Sequence, residues 1–242
     1  MTDATSSPVP AKAGLWEDFI DIFYQPSQVF ERRREGKFGA ALVVLMVISG
    51  ILFFALYNGL APIMDAEMAK QAAAMAAKNS SLTPDQISGL QNSMEKFAVI
   101  GYMIAIPVGV AVTAAVLWLA GKLVNAKVAF VAALMIATYS QVPRLAEMVL
   151  NAIQGLALAP ESINSRYSVS LGIARFLDVS STNPFVLTIL DGLDVFTIWT
   201  TALLAIGLAV VARIPVARAA FAAAAVWVVV LLPALYAALS QG

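Results

Sequence analysis

Two pairs of ionisable residues stand inside stretches that are otherwise apolar: Arg144 with Glu147, and Asp191 with Asp194. Each pair is spaced i, i+3, so on a helix both members face one way. A charge near the centre of a membrane span costs about 2.5–3.5 kcal/mol on insertion scales, so it is either held by a partner or lines a path for an ion, proton or solute. The uncharged run LLAIGLAVVA follows the aspartates, and the cheaper placement sets both toward the outer side of the membrane. Arg144, roughly 24 Å along a helix from Val128, reaches the same depth. The expectation is an ion pair between Arg144 and Asp191 or Asp194. Glu147, Tyr139 and Gln141 share the polar cluster, and Tyr102 is near enough to donate a hydrogen bond. Such a cluster either glues helices together or forms a solute or proton pathway.

Other chemistry is poorly provided for. The chain has no cysteine and no histidine, which excludes Ser-His-Asp and Cys-His catalysis, thiolate sites and His-ligated metals. It carries no Walker phosphate loop, no G-x-G-x-x-G and no G-x-S-x-G. An aspartyl dyad needs carboxylates from two helices, and Asp191 and Asp194 lie three apart on one. No catalytic residue, cofactor or metal site is expected. Lysines and arginines number 15 and so do aspartates and glutamates; a net charge of zero offers no field to attract nucleic acid.

The elements that must position the cluster are membrane helices. Hydrophobic residues make up 60% of the chain and charged ones 12%, and the mean hydropathy is +0.82, beyond what a water-soluble domain hides. The pattern predicts an all-α, polytopic membrane helix bundle of about five spans, near 38–60, 97–120, 128–150, 185–212 and 215–239. They follow an N-terminal segment, 1–37, that has no secretory signal pattern. Span two carries Gly101, Ala105, Gly109 and Thr113, a small residue every fourth position, which lets another helix approach closely, inside the protomer or in a dimer. Between spans one and two, Met64, Met68 and Met75 fall on one helical face that ends near Asn79. A second helix then starts at the N-cap Thr83, with Pro84 at its first position and Gln86 completing a capping box. Ile87, Leu90, Met94 and Phe97 follow at helical spacing. The expectation is a helical hairpin on the outer face, its Met face packed on the Ile/Leu face.

Arg32, Arg33, Arg34 and Lys37 directly precede span one and mark that side as cytoplasmic. Threading from there, Lys122 with Lys127 and Arg213 with Arg218 fall on the same side, and an odd number of spans puts the tail, Ser240 to Gly242, outside. Upstream, Trp16, Phe19, Ile20 and Phe23 share one helical face and Glu17, Asp18 and Asp21 mostly another. This predicts an interfacial helix that rests on anionic headgroups or docks beneath the bundle. A short amphipathic piece, Val169 to Leu177, is placed on the outer surface.

Three segments carry a resemblance. LWEDFIDIFYQPSQVFERRREG before span one, IATYSQVPRL in span three, and NPFVLTILDGLDVFTIWTTALLAIGL in span four, with Asp194, Phe196 and Trp199, resemble the Yip family of five-span membrane proteins, in particular its bacterial branch. The resemblance covers most of Leu15 to Leu239. It implies a non-enzymatic scaffold, adaptor or membrane-organising protein of the inner membrane, whose partners are membrane lipids and other membrane proteins or further copies of itself. The short N-terminal region argues against binding a small GTPase, the partner of the eukaryotic relatives. The competing expectation is a small-solute or ion transporter or channel built on Arg144, Asp191 and Asp194. A hydrated cavity reaching that cluster would favour the transporter, and a cluster sealed by packing the scaffold.

Overall fold

The computed structural model describes residues 14–78, 83–179 and 181–239. The tail 240–242 and the helix end near Asn79 lie outside the described residues, as does the side chain of Met94. Ten α-helices follow one another among the described residues: α1 (Leu15–Tyr24), α2 (Pro26–Arg32), α3 (Gly39–Ala55), α4 (Tyr57–Lys78), α5 (Pro84–Leu123), α6 (Phe130–Ser140), α7 (Pro143–Ala157), α8 (Pro184–Asp191), α9 (Val195–Ala212) and α10 (Val216–Leu239). Short 3-10 turns link α7 to α8. No strand occurs among the described residues.

Local chemistry explains many of the boundaries. Proline opens α2, α5, α7 and α8 at a first-turn position, where its missing N–H has no helical partner to lose. The Thr83 hydroxyl accepts from the Gln86 N–H at 3.3 Å, and Gln86 Oε1 accepts from the Thr83 N–H at 2.9 Å, the reciprocal cap expected from sequence. Arg213, at φ 54°, ends α9 in the left-handed region just before Pro215, and Asn125, at φ 60°, sits in the α5–α6 turn.

Three helices are by themselves long and apolar enough to cross a membrane: Ile100–Leu123 within α5, then α9 and α10. The stretch read as span one divides at Leu56, where α3 and α4 meet at 87°; counted as one broken span, this pair makes a fourth. The stretch read as span three is two helices, α6 and α7, parted before Pro143. At about 1.5 Å per residue neither alone covers a hydrocarbon core of about 30 Å.

The hairpin between spans one and two differs from the expectation in its packing. α5 runs unbroken from its cap at Thr83 into the membrane stretch, but α4 lies chiefly on α7. Leu90 and Phe97 remain exposed instead of covering the methionines. Backbone proximity decides this. A Cβ on Gly155 would fall on the Gly59 carbonyl oxygen, and one on Gly59 would fall on the Ala152 carbonyl oxygen. Where two helix backbones touch, glycine alone fits, and the reward is extensive van der Waals contact.

The main core joins α5, α6, α9 and α10 through residues such as Leu117, Ile136, Leu203, Leu208 and Val226. Phe19, Ile22, Val29 and Phe30 of α1 and α2 belong to the same cluster, so the N-terminal helices are part of the bundle. Phe30 packs on Gly207 of α9, and Gly36, at φ 83°, presses its backbone on Val131 of α6. Gly121 faces Ala126 and Leu208. The basic turns 122–127 and 213–218 therefore lie at the same end of the bundle as α2.

Candidate functional site

Arg144 sits in the first turn of α7, just past the break that ends α6, where its side chain reaches across to α9. Its Nη1 donates to Glu147 Oε2 at 2.6 Å and its Nη2 to Thr197 Oγ1 at 3.1 Å. The expected ion pair with Asp191 or Asp194 is not made. Asp191 takes another cation, Arg166, whose Nη2 lies 2.9 Å from Asp191 Oδ2. Asp194 is the N-cap of α9: its Oδ1 accepts from the Phe196 N–H at 2.8 Å, and its Oδ2 from the Leu171 N–H at 3.0 Å and the Ser170 hydroxyl at 3.3 Å. A carboxylate filled by cap and loop bonds has no call for an arginine. The short piece read as an amphipathic surface segment is the strap that supplies these bonds. Gln154 of α7 holds it further, donating to the Val169 carbonyl at 2.8 Å and accepting from Arg175.

Tyr139 also belongs elsewhere. It is fully buried, and its hydroxyl donates to Asp18 Oδ2 at 3.3 Å while its ring meets Phe19 edge-on at 6.1 Å. Asp18 is itself 0% exposed and anchors a second polar centre: Arg32 Nη2 lies at 2.9 Å and Arg33 Nε at 2.5 Å. Arg32 also meets Asp21 at 2.6 Å. Burial works against the Arg32 charge, but the Asp21 and Asp18 carboxylates outweigh it and hold its pKa above the ordinary value. The remaining members of the basic cluster are paired as well, Arg34 with Glu31 and Lys37 with Glu35. Asp18 and Asp21 of α1 are thus turned inward on Arg32 and Arg33, while Glu17 stays exposed and caps the Gly14 N–H and Trp16, Ile20 and Tyr24 are left exposed. Sequence reasoning missed Asp18. The available signal was the pair of arginines 14 and 15 residues further on, opposite in charge and across the Pro26 turn.

Gln141, Arg144 and Tyr102 do converge on open space. Three adjoining cavities of about 440, 400 and 270 Å³ all reach Gln141 and Arg144. The first extends between Phe53, Leu60, Ile63 and Met64, and the third reaches Asp191, Thr197 and Thr200. The stripe expected to seat a helix forms a wall of this space: Ala105 and Gly109 line the second cavity and Thr113 the second and third. A Cβ on Gly101 or Gly109 would meet nothing within 4 Å, so no helix presses on either. Within the chain, a close backbone approach is made by Gly59 and Gly155.

Among the described residues no group of three or more acidic, histidine or cysteine side chains is placed to hold a metal ion. The chemistry on offer is ion pairing and hydrogen bonding around a partly open, largely apolar space. The family model of the Yip1 domain matches residues 20–238. No curated protein and no solved structure matches the chain.

Proposed function

Because the chain belongs to the Yip1-domain family of membrane proteins, we propose that it serves as a non-enzymatic scaffold or membrane-organising protein that binds lipids and other membrane proteins. The observation that carries this reading is the use made of the charges within the bundle. Arg144 ties α7 to α9 through Thr197, Asp191 ties α8 through Arg166 to the turn just before the strap, and Asp194 caps α9 while holding the strap. Each is occupied in joining segments, the role of a fixed support. The exposed Trp16, Ile20 and Tyr24, spaced i, i+4, i+8 on α1, offer an aromatic face of the kind enriched at membrane interfaces and in contacts between proteins. The basic turns sharing one end of the bundle favour that end as cytoplasmic, with the N-terminus inside and the C-terminus outside a cell's inner membrane.

A transporter or channel is the second reading, favoured by the cavities that meet at Gln141 and Arg144. The apolar lining of the largest argues for the first. The experiment is quantitative mass spectrometry of the full chain gently extracted from native membranes, beside Trp16→Ala/Ile20→Ala/Tyr24→Ala. A protein partner present at a fixed ratio to the wild type and depleted about tenfold or more with the triple variant is the expected result, since interface anchors of this kind carry about 2 kcal/mol each. No stoichiometric partner in either sample, or one retained equally in both, sinks the scaffold role assigned to α1.

A further inference from the structure

We propose that the groove between α3, α4, α5, α7 and α10 is a binding site for a single membrane phospholipid, its acyl chain along the apolar wall and its phosphate at Arg144 and Gln141. This deepens the membrane-organising reading and rests on it. Four observations carry the assignment. The space is of ligand size, 440 and 400 Å³ in its two larger parts, and mostly apolar, with polar groups gathered at one place. Those polar groups have capacity left. Among the described residues the Gln141 side chain makes no hydrogen bond, and Arg144 spends one N–H of each terminal nitrogen on Glu147 and Thr197. Thr200, 7% exposed, lines the third cavity and its hydroxyl has no partner. An uncompensated buried hydroxyl is costly, and an oxygen-rich headgroup beside it offers relief. Lastly, the small residues that line the groove stand beside the face of α5 that exposes Ile104, Val108 and Val112 within its membrane-crossing stretch. The groove is therefore flanked by a surface that touches hydrocarbon, where acyl chains are the surrounding solvent.

A guanidinium with spare donors suits a phosphate, whose oxygens accept charge-assisted hydrogen bonds from it. Glu147 beside Arg144 keeps the site close to neutral before the lipid arrives, so the headgroup is held by hydrogen bonds as much as by charge.

The test uses the full chain reconstituted in nanodiscs of phosphatidylethanolamine and phosphatidylglycerol, re-extracted in mild detergent and examined by native mass spectrometry. Gly109→Trp fills the groove from a position whose Cβ meets nothing, and Gly101→Trp, two turns away and not lining these cavities, controls for the added ring. Wild type and Gly101→Trp retain one phospholipid per chain, and Gly109→Trp loses it by about tenfold or more, a change of an order of magnitude in affinity. Gln141→Leu weakens retention in the same direction. If Gly109→Trp does not fold, Ala105→Trp on the same wall replaces it. Equal lipid on wild type and the groove-filled variant overturns the proposal, as does wild type with no retained lipid. A dimer broken by Gly109→Trp with lipid counts unchanged also overturns it and assigns the groove to a second copy of the chain. Retention of a protein partner, read in native membranes, reports on the scaffold role separately.

Discussion

Gly155→Ala is expected to lower the melting temperature of the purified protein by about 6–12 °C, because it adds a methyl group where two helix backbones are already in contact. The added Cβ lands on the Gly59 carbonyl oxygen, and backbone cannot step aside as a flexible side chain can. Overpacking of a well-filled contact costs about 1–3 kcal/mol and occasionally more; the upper end applies here, and about 3 kcal/mol corresponds to that shift for a chain of this size. Gly59→Ala meets the Ala152 carbonyl and behaves alike. Gly89→Ala is the internal contrast. It lies on the exposed first turns of α5 with nothing within 4 Å of its Cβ, so alanine brings its higher helix propensity and stabilises by about 0.5–1 kcal/mol. Thermal unfolding of the three variants in one detergent checks both signs. A Gly155→Ala protein as stable as wild type would mean that α4 does not lie on α7.

Asp18→Leu is expected to release α1 from the bundle. It removes the one carboxylate shared by Arg32, Arg33 and Tyr139, leaving two guanidiniums without it at the base of the core. Breaking a buried pair by deleting one member costs about 3–5 kcal/mol. The lower end holds here, because the arginine side chains keep 26% and 22% of their exposure and Arg32 retains Asp21. About 3 kcal/mol raises the population of the opened N-terminal unit roughly a hundredfold, and trypsin cleavage after Arg32 to Arg34 accelerates accordingly. Tyr139→Phe deletes one hydrogen bond and keeps the ring against Phe19, so its effect is smaller, about 1 kcal/mol. Cleavage rates unchanged by Asp18→Leu would place the buried carboxylate in error.

What could be read from the sequence was mostly local. The apolar runs announced a helical membrane bundle, and Thr83 to Gln86 declared a cap with Pro84 as the helix start, since each rests on residues within one helical turn. Pairings across the chain were not legible in the same way. Arg144 and Asp191 do line one cavity, but an argument from depth does not choose among cations, and Arg166, just before the strap, was as well placed to take Asp191. Asp194 was read as a charge in need of a counter-charge when its first duty was to the free N–H groups of α9.

The remaining differences share a cause: periodicity tells which residues fall on one face, and it does not tell what that face meets. The small residues of α5 and those of α4 and α7 look alike in sequence. Gly59 and Gly155 take the backbone contact within the chain because α4 turns by 87° after Leu56, while a Cβ on Gly101 or Gly109 would meet nothing. On α1 the carboxylates stand apart from the large apolar residues, which left open whether the helix rests on headgroups or docks beneath the bundle. The helix docks on the bundle, with Asp18, Phe19 and Ile22 drawn inward and Trp16 and Ile20 left outside, a choice that a buried network makes and periodicity cannot.

The central claim is that the polar groups inside this bundle hold it together for a membrane-organising role and do not conduct. Ion and small-solute flux across sealed liposomes containing the purified chain tests it most directly, with Arg144→Leu beside the wild type. The account predicts wild-type flux equal to that of empty liposomes, and for Arg144→Leu a loss of folded protein, since Glu147 and Thr197 lose their common partner. Saturable flux through the wild type, abolished in a folded Arg144→Leu protein, would contradict it.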